Sequence, residues 1–405
     1  MVPARAAVGW ATLVRILLVA EGNPETWDSW SGSSRGLLRA LRAQGHDVIT
    51  GDVSEPAWRR WPNILRNWVP DRRHWAARYH FGPIGFRNRG RRAEALLARH
   101  AGDIDAVLQI GATFDASRWA DRPGFVYSDS NVRQTARDAP SGEVAALRSF
   151  EREQVFARER AVYAGASAVF VMSDYLRRSM VTDFGLAEDR VETVLAGANL
   201  DLGAIPPLPT TPPGPPTILF VGKQWERKGG PLLLEAFRGV RRAVSDARLL
   251  IVGCTPPIAG AHELGVEIVG PVAKHAPNGE ARLSALYQSA DVFCMPSQFE
   301  PFGVVFVEAM LHGLPCVGSN RCAIPEIIAH GETGWVVPGD DAASLRDTLV
   351  AALASRGEDS RHGMRRACRE RALRLFTWER VAERMARVMS RHIAPLAVAP
   401  AGARA

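Results

Sequence analysis

The sequence predicts an α/β protein of two domains, each built around a parallel sheet. Short runs of aliphatic and β-branched residues alternate with amphipathic helical segments along the chain, as in α/β layers. A proline-rich stretch interrupts this alternation near the middle, and the alternation then restarts. A length of 405 residues accommodates two domains at roughly 100–200 residues per domain.

In the N-terminal half, the first predicted strand is the apolar run at residues 15–20, followed by a helix over residues 34–44 that Gly45 ends. Leu37, Leu38 and Leu41 share one face of that helix. A long helix is predicted through residues 151–163. Further strands are predicted at residues 47–50, 106–110, 124–127, 168–172 and 191–195.

The clearest boundary is the stretch 205–216, in which seven of twelve residues are proline, and proline makes a linker stiff and extended. Strands are predicted beyond it at residues 217–221, 249–252, 266–269, 292–295 and 315–318. Residues 395–405 form an Ala/Pro tail that we expect to be disordered. Two such domains, 1–204 and 217–376, predict a ligand cleft between them, because open sheets bind ligands beyond the carboxyl ends of their strands.

Composition favours a cytoplasmic globular protein. Hydrophobic residues make up 46% of the chain and charged residues 23%, as in ordinary globular proteins. No stretch approaches the roughly 20 apolar residues that a membrane span requires, and the N-terminus lacks the features of a secretory signal. The five cysteines lack metal-ligand spacing, so we expect reduced, mostly buried thiols.

Positive charge is concentrated in residues 58–99, where eleven arginines face two acidic residues, a local balance of +9 in a chain of net charge +7. Four tryptophans lie in the same window, and four prolines in residues 56–83 predict broken helices rather than one long helix. Arginine with interfacial aromatics suits nucleic acid, anionic lipid or a phosphorylated acceptor. The alternative is a solvated face with a few core tryptophans.

Two glutamates stand in a predicted strand–loop–helix segment at residues 297–310. Glu300 lies in the loop at the carboxyl edge of the strand, and Glu308 lies in the helix among apolar residues. A buried carboxylate is costly unless donors meet it, and the two hydroxyls of a ribose would do so. The free N–H groups of the helix start suit anionic or hydroxylated ligand atoms. The alternative is that Glu300 caps the helix and Glu308 pairs with a basic neighbour.

A second strand–loop–helix segment, at residues 219–230, places two lysines beside a helix start. Lys223 and Lys228 would stabilise a diphosphate, and more so as it departs as an anion. The segment lacks the glycine spacing and the Lys-Ser/Thr pair of a Walker A loop. Because surface lysines are common, a structural role for both is the alternative.

Together these motifs resemble the family-4 retaining glycosyltransferases (glycosyl transferases group 1), which have the GT-B fold. That family carries two glutamates separated by seven residues in an E-P-F-G context, here Glu300 and Glu308. It also carries a Gly–basic…Lys-Gly motif, here with Lys223 where arginine is usual, which loses bidentate geometry. The resemblance continues through residues 324–338, and residues 376–379 resemble the start of a helix, at 377–394, that crosses back to the N-terminal domain.

The N-terminal half matches more loosely. Residues 30–33, which include Gly32 and Ser33, resemble the first strand-to-helix loop, whose N–H groups approach the donor phosphates. Residues 197–201 resemble the closing turn before the linker. Many members place a histidine after the fourth strand; here Asp129 is the substitute candidate, and helix capping by Asp129 is the alternative.

The resemblance implies a hexosyltransferase-type enzyme that moves a sugar from a nucleoside-diphosphate sugar to a hydroxyl of a glycan, glycolipid or small natural product, with retention. It implies no cofactor and no metal. Glu300 would contact the sugar, Glu308 the ribose, and the backbone of Phe302, Gly303 and Val304 the sugar and phosphates. A phosphorylase or sugar-nucleotide synthase on the same fold, or a basic nucleic-acid-binding protein, remains the alternative. His312, at the helix end beside Gly313 and Pro315, is expected to be structural. Peripheral contact with the inner face of the membrane is expected through residues 58–99, or else a phosphorylated acceptor binds there.

Overall fold

The computed structural model describes residues 13–116, 121–139, 142–208, 214–356 and 359–393. Within these ranges two six-stranded parallel sheets form, in the orders β2-β1-β3-β4-β5-β6 and β12-β11-β10-β7-β8-β9. The strands of the first sheet are β1 Arg15–Ala20, β2 Asp47–Asp52, β3 Ala106–Ile110, β4 Gly124–Ser128, β5 Ala168–Val171 and β6 Val191–Thr193. Those of the second are β7 Thr217–Val221, β8 Arg248–Val252, β9 Val266–Gly270, β10 Val292–Met295, β11 Cys316–Ser319 and β12 Gly334–Val337.

The helices that cover the first sheet are α1 Ser33–Ala43, α2 Ala57–Asn67, α3 Arg72–Phe81, α4 Pro83–His100, α5 Val132–Asp138, α6 Ser149–Gly165 and α7 Asp174–Thr182. Those of the C-terminal part are α8 Gly230–Ala243, α9 Gly279–Ser289, α10 Val304–Leu311, α11 Ile324–Ile327, α12 Ala342–Ala354, α13 Asp359–Leu375 and α14 Trp378–Met389. No helix in these parts of the chain is long and apolar enough to cross a bilayer.

The strand order reverses once in each sheet, between β1 and β3 in the first and between β7 and β10 in the second. In an open parallel sheet, the loops that follow the two strands at such a switch point diverge and leave a crevice. Both predicted donor-binding segments follow the strands of the second switch point, so the topology brings them side by side.

Helix α14 crosses back from the C-terminal part and packs on α1 of the N-terminal domain. Two glycines make this contact possible. A Cβ on Gly36 would lie 2.2 Å from Nε1 of Trp378, and a Cβ on Gly197 would lie 2.5 Å from its backbone nitrogen. Trp378, the first residue of α14, therefore packs directly against the backbone at Gly36 and at Gly197.

Several predicted bounds require correction. The predicted strand 191–195 ends at Thr193, since Leu195 has a left-handed φ of 65°. The strand placed at 315–318 is shifted by one residue, and β12 was not predicted as a strand. The basic segment forms three helices, as its prolines predict, but Pro62 lies inside α2 rather than at its end. The tail 395–405 and linker residues 209–213 lie outside the described residues.

Candidate functional site

The centre of the site is the pair formed by Glu300 and Lys228, which come from the adjacent loops after β10 and β7. The Lys228 Nζ donates to Oε2 of Glu300 at 2.7 Å, and both side chains are nearly buried, at 13% and 11% exposure. Gly222 leaves room for the lysine stem, because a Cβ there would lie 2.4 Å from Cδ of Lys228. Two of the residues predicted to contact the donor, Glu300 and Lys228, are thus in direct contact with each other.

A second cation, which the sequence analysis did not assign, lies beside the same carboxylate. The Arg227 guanidinium is 3.7 Å from Oε2 of Glu300 and also donates to the Phe299 carbonyl. Arg227 thus brings a guanidinium to the loop in which this chain has Lys223 where the resembled family usually has arginine. Lys223 itself is exposed in the same loop.

Glu308 is 3% exposed on α10 and pairs with a lysine that the sequence analysis missed. Its Oε1 accepts from Lys274 Nζ, and its Oε2 is 3.5 Å from the Tyr287 hydroxyl. Lys274 lies in the loop after β9, far from Glu308 in sequence, so no local pattern could have connected the two. Pairing of Glu308 with a basic neighbour, the alternative raised above, is therefore present.

At the turn into α10, the backbone of residues 302–304 is the part predicted to contact the donor. Gly303 adopts φ 105°, and a Cβ there would lie 3.2 Å from Cγ of Glu300. The Phe302 side chain is buried, with its ring 6.0 Å from that of Phe376. Val304 is the first residue of α10, where helix N–H groups lack intrahelical partners. Glu300 does not cap α10, because the N-cap residue is Gly303 and the helix start has no side-chain capping hydrogen bond.

On the other side of the cleft, the loop after β1 has an unusual backbone. Trp30 and Ser31 have left-handed φ of 48° and 56°, and Gly32 follows at 89°. A Cβ on Gly32 would lie 2.6 Å from the Trp27 ring, so this position requires glycine. Ser33, 5% exposed, begins α1. The loop therefore turns sharply into a helix start, a geometry suited to anions.

Asp129 follows β4 and faces this loop and Glu300. Burial raises the pKa of its carboxyl, and the nearby Glu300 charge raises that pKa further, while hydrogen bonds from Ser130 and Trp30 lower it. The alternative that Asp129 caps a helix is wrong: Asn131 caps α5 by accepting from the Gln134 amide. Asp129 is thus a carboxyl within the cleft whose proton is held more tightly than usual.

His312 has the partners of a structural residue, as expected. Its Nδ1 donates to the Glu308 carbonyl at 2.8 Å, and its Nε2 accepts from the Ser284 hydroxyl at 2.9 Å. Burial lowers the pKa of the imidazole, so the neutral ring is favoured. The five cysteines are free thiols, and three of them are buried.

A carboxylate from the C-terminal domain caps a helix of the N-terminal domain across the cleft. Glu326 of α11 accepts from the backbone N–H groups of Asp174 and Tyr175, at 2.8 and 2.7 Å. These are the first two residues of α7, where acidic groups are favoured. Sequence reasoning gave Glu326 no role, because its partners are about 150 positions away.

The basic segment divides into structural and exposed parts. Arg89 is 2% exposed and donates to the carbonyls of Thr113 and His80, so it braces the loop after β3. His74 on α3 pairs with Glu151 at 2.7 Å. By contrast, α2 and its C-cap residue present to solvent a set of large apolar side chains, each at least 62% exposed: Trp58, Trp61, Leu65 and the C-cap Trp68.

Comparison with known proteins shows what class of protein this fold and site define. Residues 215–355 match the family model described as glycosyl transferases group 1. A phosphatidyl-myo-inositol mannosyltransferase of Mycobacterium leprae is 36% identical over 224 residues, which cover 54% of this chain and 57% of the relative. A GDP-mannose-dependent phosphatidylinositol monomannoside mannosyltransferase of Mycobacterium tuberculosis is 32% identical, over 42% of this chain and 46% of its own. The matches thus span about half the length of these relatives.

Solved structures match nearly the whole chain at low identity. Sucrose-phosphate synthase of Thermosynechococcus elongatus superposes with a TM-score of 0.67 at 21% identity, covering 93% of this chain and 98% of its own. A glycosyltransferase of Rickettsia africae gives 0.65 at 15% identity, over 95% and 99%. The architecture is therefore GT-B, as predicted. The resemblance to the group 1 glycosyltransferases is confirmed over residues 215–355 by the family model.

Proposed function

We propose that the protein transfers a sugar from a nucleoside-diphosphate sugar to an acceptor hydroxyl, with retention of configuration. The observation that supports this best is the pair of buried carboxylates at the switch point of the second sheet, each held by a lysine. Glu300 contacts the donor sugar and Glu308 the ribose. Lys228, with Arg227 and Lys223 nearby, stabilises the diphosphate, whose position beside α8 and α10 is favoured by the helix starts.

The proposed reaction occurs on one face of the sugar. The bond between the anomeric carbon and the β-phosphate oxygen breaks, and the acceptor oxygen forms its bond to the same face. The acceptor proton passes to the departing phosphate oxygen. Charge grows on the leaving group as the bond lengthens, so preorganised cations such as Lys228 stabilise the transition state more than the ground state.

In this proposal, Asp129 acts on the acceptor hydroxyl. It is the carboxyl that the N-terminal domain brings toward Glu300, and its raised pKa suits a group that donates or shares a proton near the acceptor hydroxyl. An Asp129→Asn variant is expected to bind nucleotide like the wild type and to turn over more slowly.

A screen of donors tests the proposal directly. GDP-mannose comes first, because the name of one relative specifies it, followed by UDP-, ADP- and TDP-sugars. Transfer or slow hydrolysis of one sugar nucleotide is expected, with the α-configured product identified by NMR. Release of a sugar 1-phosphate that depends on inorganic phosphate, or synthesis of a sugar nucleotide, would instead establish the phosphorylase or synthase alternative.

The acceptor is proposed to be carried by an anionic membrane, on which α2 docks. The helix is inverted relative to an ordinary surface helix. Its inward side chains are polar, since Asn63 and Asn67 are 1% and 4% exposed, and Asn63 donates to the buried Glu55 carboxylate at 3.0 Å. Its apolar side chains at positions 58, 61 and 65 follow helical spacing along the outer face, and the exposed C-cap Trp68 follows them.

This outward apolar face favours a bilayer over a soluble phosphorylated acceptor or nucleic acid. Arginines alone would serve either of those partners, whereas exposed tryptophans and a leucine gain most from the boundary between lipid headgroups and acyl chains. Each such side chain contributes about 1.5–3 kcal/mol when fully buried. Nearby arginines add on the order of 1 kcal/mol each at an anionic surface.

Vesicle binding tests this part of the proposal. Wild-type protein is expected to sediment with phosphatidylcholine vesicles that contain phosphatidylserine. Replacement of Trp61 and Leu65 by serine should abolish sedimentation and leave nucleotide affinity unchanged. Serine at Phe150, which is 57% exposed outside α2, is the matched control. Glutamine at Arg59, Arg60, Arg72 and Arg73 should remove the dependence on phosphatidylserine. A wild-type protein that ignores anionic vesicles at physiological salt would refute membrane docking; binding of a DNA duplex instead would support the nucleic-acid alternative.

A further inference from the structure

Asn199 lies where three parts of the molecule meet: the loop after β1, the start of α14 and the loop after β9. Its side chain is 7% exposed, and both ends of the amide are engaged. The Nδ2 donates to the Ser31 carbonyl at 2.9 Å and to the Ser33 hydroxyl at 3.2 Å. The Oδ1 accepts from Nε1 of Trp378 at 3.1 Å. One side chain therefore connects the loop after β1 to the crossing helix.

Asn199 holds a turn whose backbone conformation is unfavourable for non-glycine residues. Trp30 and Ser31 are both left-handed, a conformation that non-glycine residues keep only when their surroundings impose it. The Ser31 carbonyl lies at the centre of this turn, and the Asn199 amide fixes its direction. Edge contact of the Trp30 ring with Tyr127, at 5.2 Å, holds the other side of the turn.

The backbone of the same residue connects to the other half of the cleft. Lys274 Nζ lies 3.4 Å from the Asn199 carbonyl and also donates to Glu308. A continuous polar chain thus runs from the carboxylate on α10, through Lys274 and Asn199, to the turn after β1. Its two ends belong to different domains and approach the cleft from opposite sides.

We propose that Asn199 is a positioning residue that shapes the turn at residues 30–33 for the donor diphosphate and couples that turn, through Lys274, to Glu308. Asn199 contacts no substrate itself. The inference rests on the proposed function, since it gives the two ends of the chain a shared ligand: a nucleotide with its ribose on Glu308 and its diphosphate at the turn. Occupation of one end then favours the conformation that the other end requires.

The test compares a nucleoside diphosphate with the corresponding nucleoside, using whichever of uridine, guanosine and adenosine the wild type prefers. Asn199→Ala should lower diphosphate affinity about tenfold, as expected for the loss of well-formed hydrogen bonds. It should leave nucleoside affinity within about twofold, measured by calorimetry and ligand-observed NMR. Gln288→Ala is the matched control. Like that of Asn199, the Gln288 amide donates to a backbone carbonyl, here that of Pro207, but it contacts neither Glu308 nor the turn after β1.

A double-mutant cycle tests the coupling. Lys274→Met should also reduce the gain in affinity that the diphosphate provides, and the double variant should lose less than the product of the two single losses. A general destabilisation by Asn199→Ala would lower nucleoside and diphosphate affinity together, and would refute the positioning role. Unchanged diphosphate affinity in that variant, or losses that multiply in the double variant, would also refute the inference and leave the proposed function intact. Absence of any nucleotide binding by the wild type would instead overturn the proposed function itself.

Discussion

Replacement of Glu308 by glutamine is the sharpest perturbation of the proposed nucleotide site. The carboxylate is 3% exposed and has two partners, Lys274 and the Tyr287 hydroxyl. Glutamine preserves its volume but replaces one acceptor oxygen with an amide donor, so it cannot accept from both ribose hydroxyls. Loss of a charge-assisted hydrogen bond costs about 1.5–3 kcal/mol, which corresponds to a Kd increase of about 10- to 150-fold.

The assay is calorimetric titration with the preferred nucleoside diphosphate and with its 2′-deoxy and 3′-deoxy analogues. Wild-type protein should bind both analogues less tightly than the parent nucleotide. In Glu308→Gln that difference should shrink, because the missing hydroxyl no longer meets a carboxylate. Glu332→Gln, an exposed position in the same domain, controls for the change in net charge. An unchanged Kd and unchanged discrimination in a folded Glu308→Gln variant would remove Glu308 from the ribose site.

Three further predictions concern turnover, metal and pH. Lys228→Met should lower kcat by about 10²–10³-fold with a smaller loss of donor affinity, and Lys228→Arg should recover part of the rate. Equal losses of kcat and of donor affinity would instead indicate that Lys228 binds the ground state and the transition state equally well. Activity should survive prolonged EDTA treatment, and a strict requirement for a divalent metal would contradict the mechanism. Burial raises the pKa of Glu159 to about 8, so between about pH 5 and 8 the folded protein keeps a proton that the unfolded chain releases. The free energy of unfolding should therefore fall with rising pH in this window, by at most about 1.4 kcal/mol per pH unit from this group. Glu159→Gln should reduce that slope. The same pH dependence of urea denaturation in the wild type and in Glu159→Gln would refute this prediction.

The elements of both sheets were largely predictable from local pattern. Parallel strands buried on both faces give nearly continuous apolar runs, such as Val292–Met295 and Ala106–Ile110, in which only Gln109 is polar, and these have the predicted bounds. The misplaced ends lie where backbone geometry departs from pattern, as at Leu195. The strand β12, Gly334–Val337, has only partly buried side chains at its centre, so its apolar pattern is short and its edge position was not evident.

Within the site, the sequence identified the residues that stand next to a strand end and a helix start. Glu300, Lys228 and Glu308 follow from this local order, since each lies in a strand–loop–helix segment. The pairings among them did not follow. Lys228 belongs to the loop after β7 and Glu300 to the loop after β10, and only the strand order β10-β7 makes these loops neighbours. Asp129 was ambiguous between cleft and cap until the structure gave the cap to Asn131.

The sequence by itself determined the two-domain α/β class, the family resemblance and the side chains able to hold a sugar nucleotide, because periodicity, turn residues and short motifs are properties of neighbouring positions. Tertiary structure alone decided that Lys274 pairs with Glu308, that Asn199 joins the turn after β1 to α14, and that α2 turns its tryptophans outward. These outcomes depend on contacts between residues up to 179 positions apart and on which face of a helix finds buried polar partners. No local sequence pattern encodes these long-range contacts or the buried face of α2. They form only when separate elements pack together and each buried polar group acquires a hydrogen-bond partner.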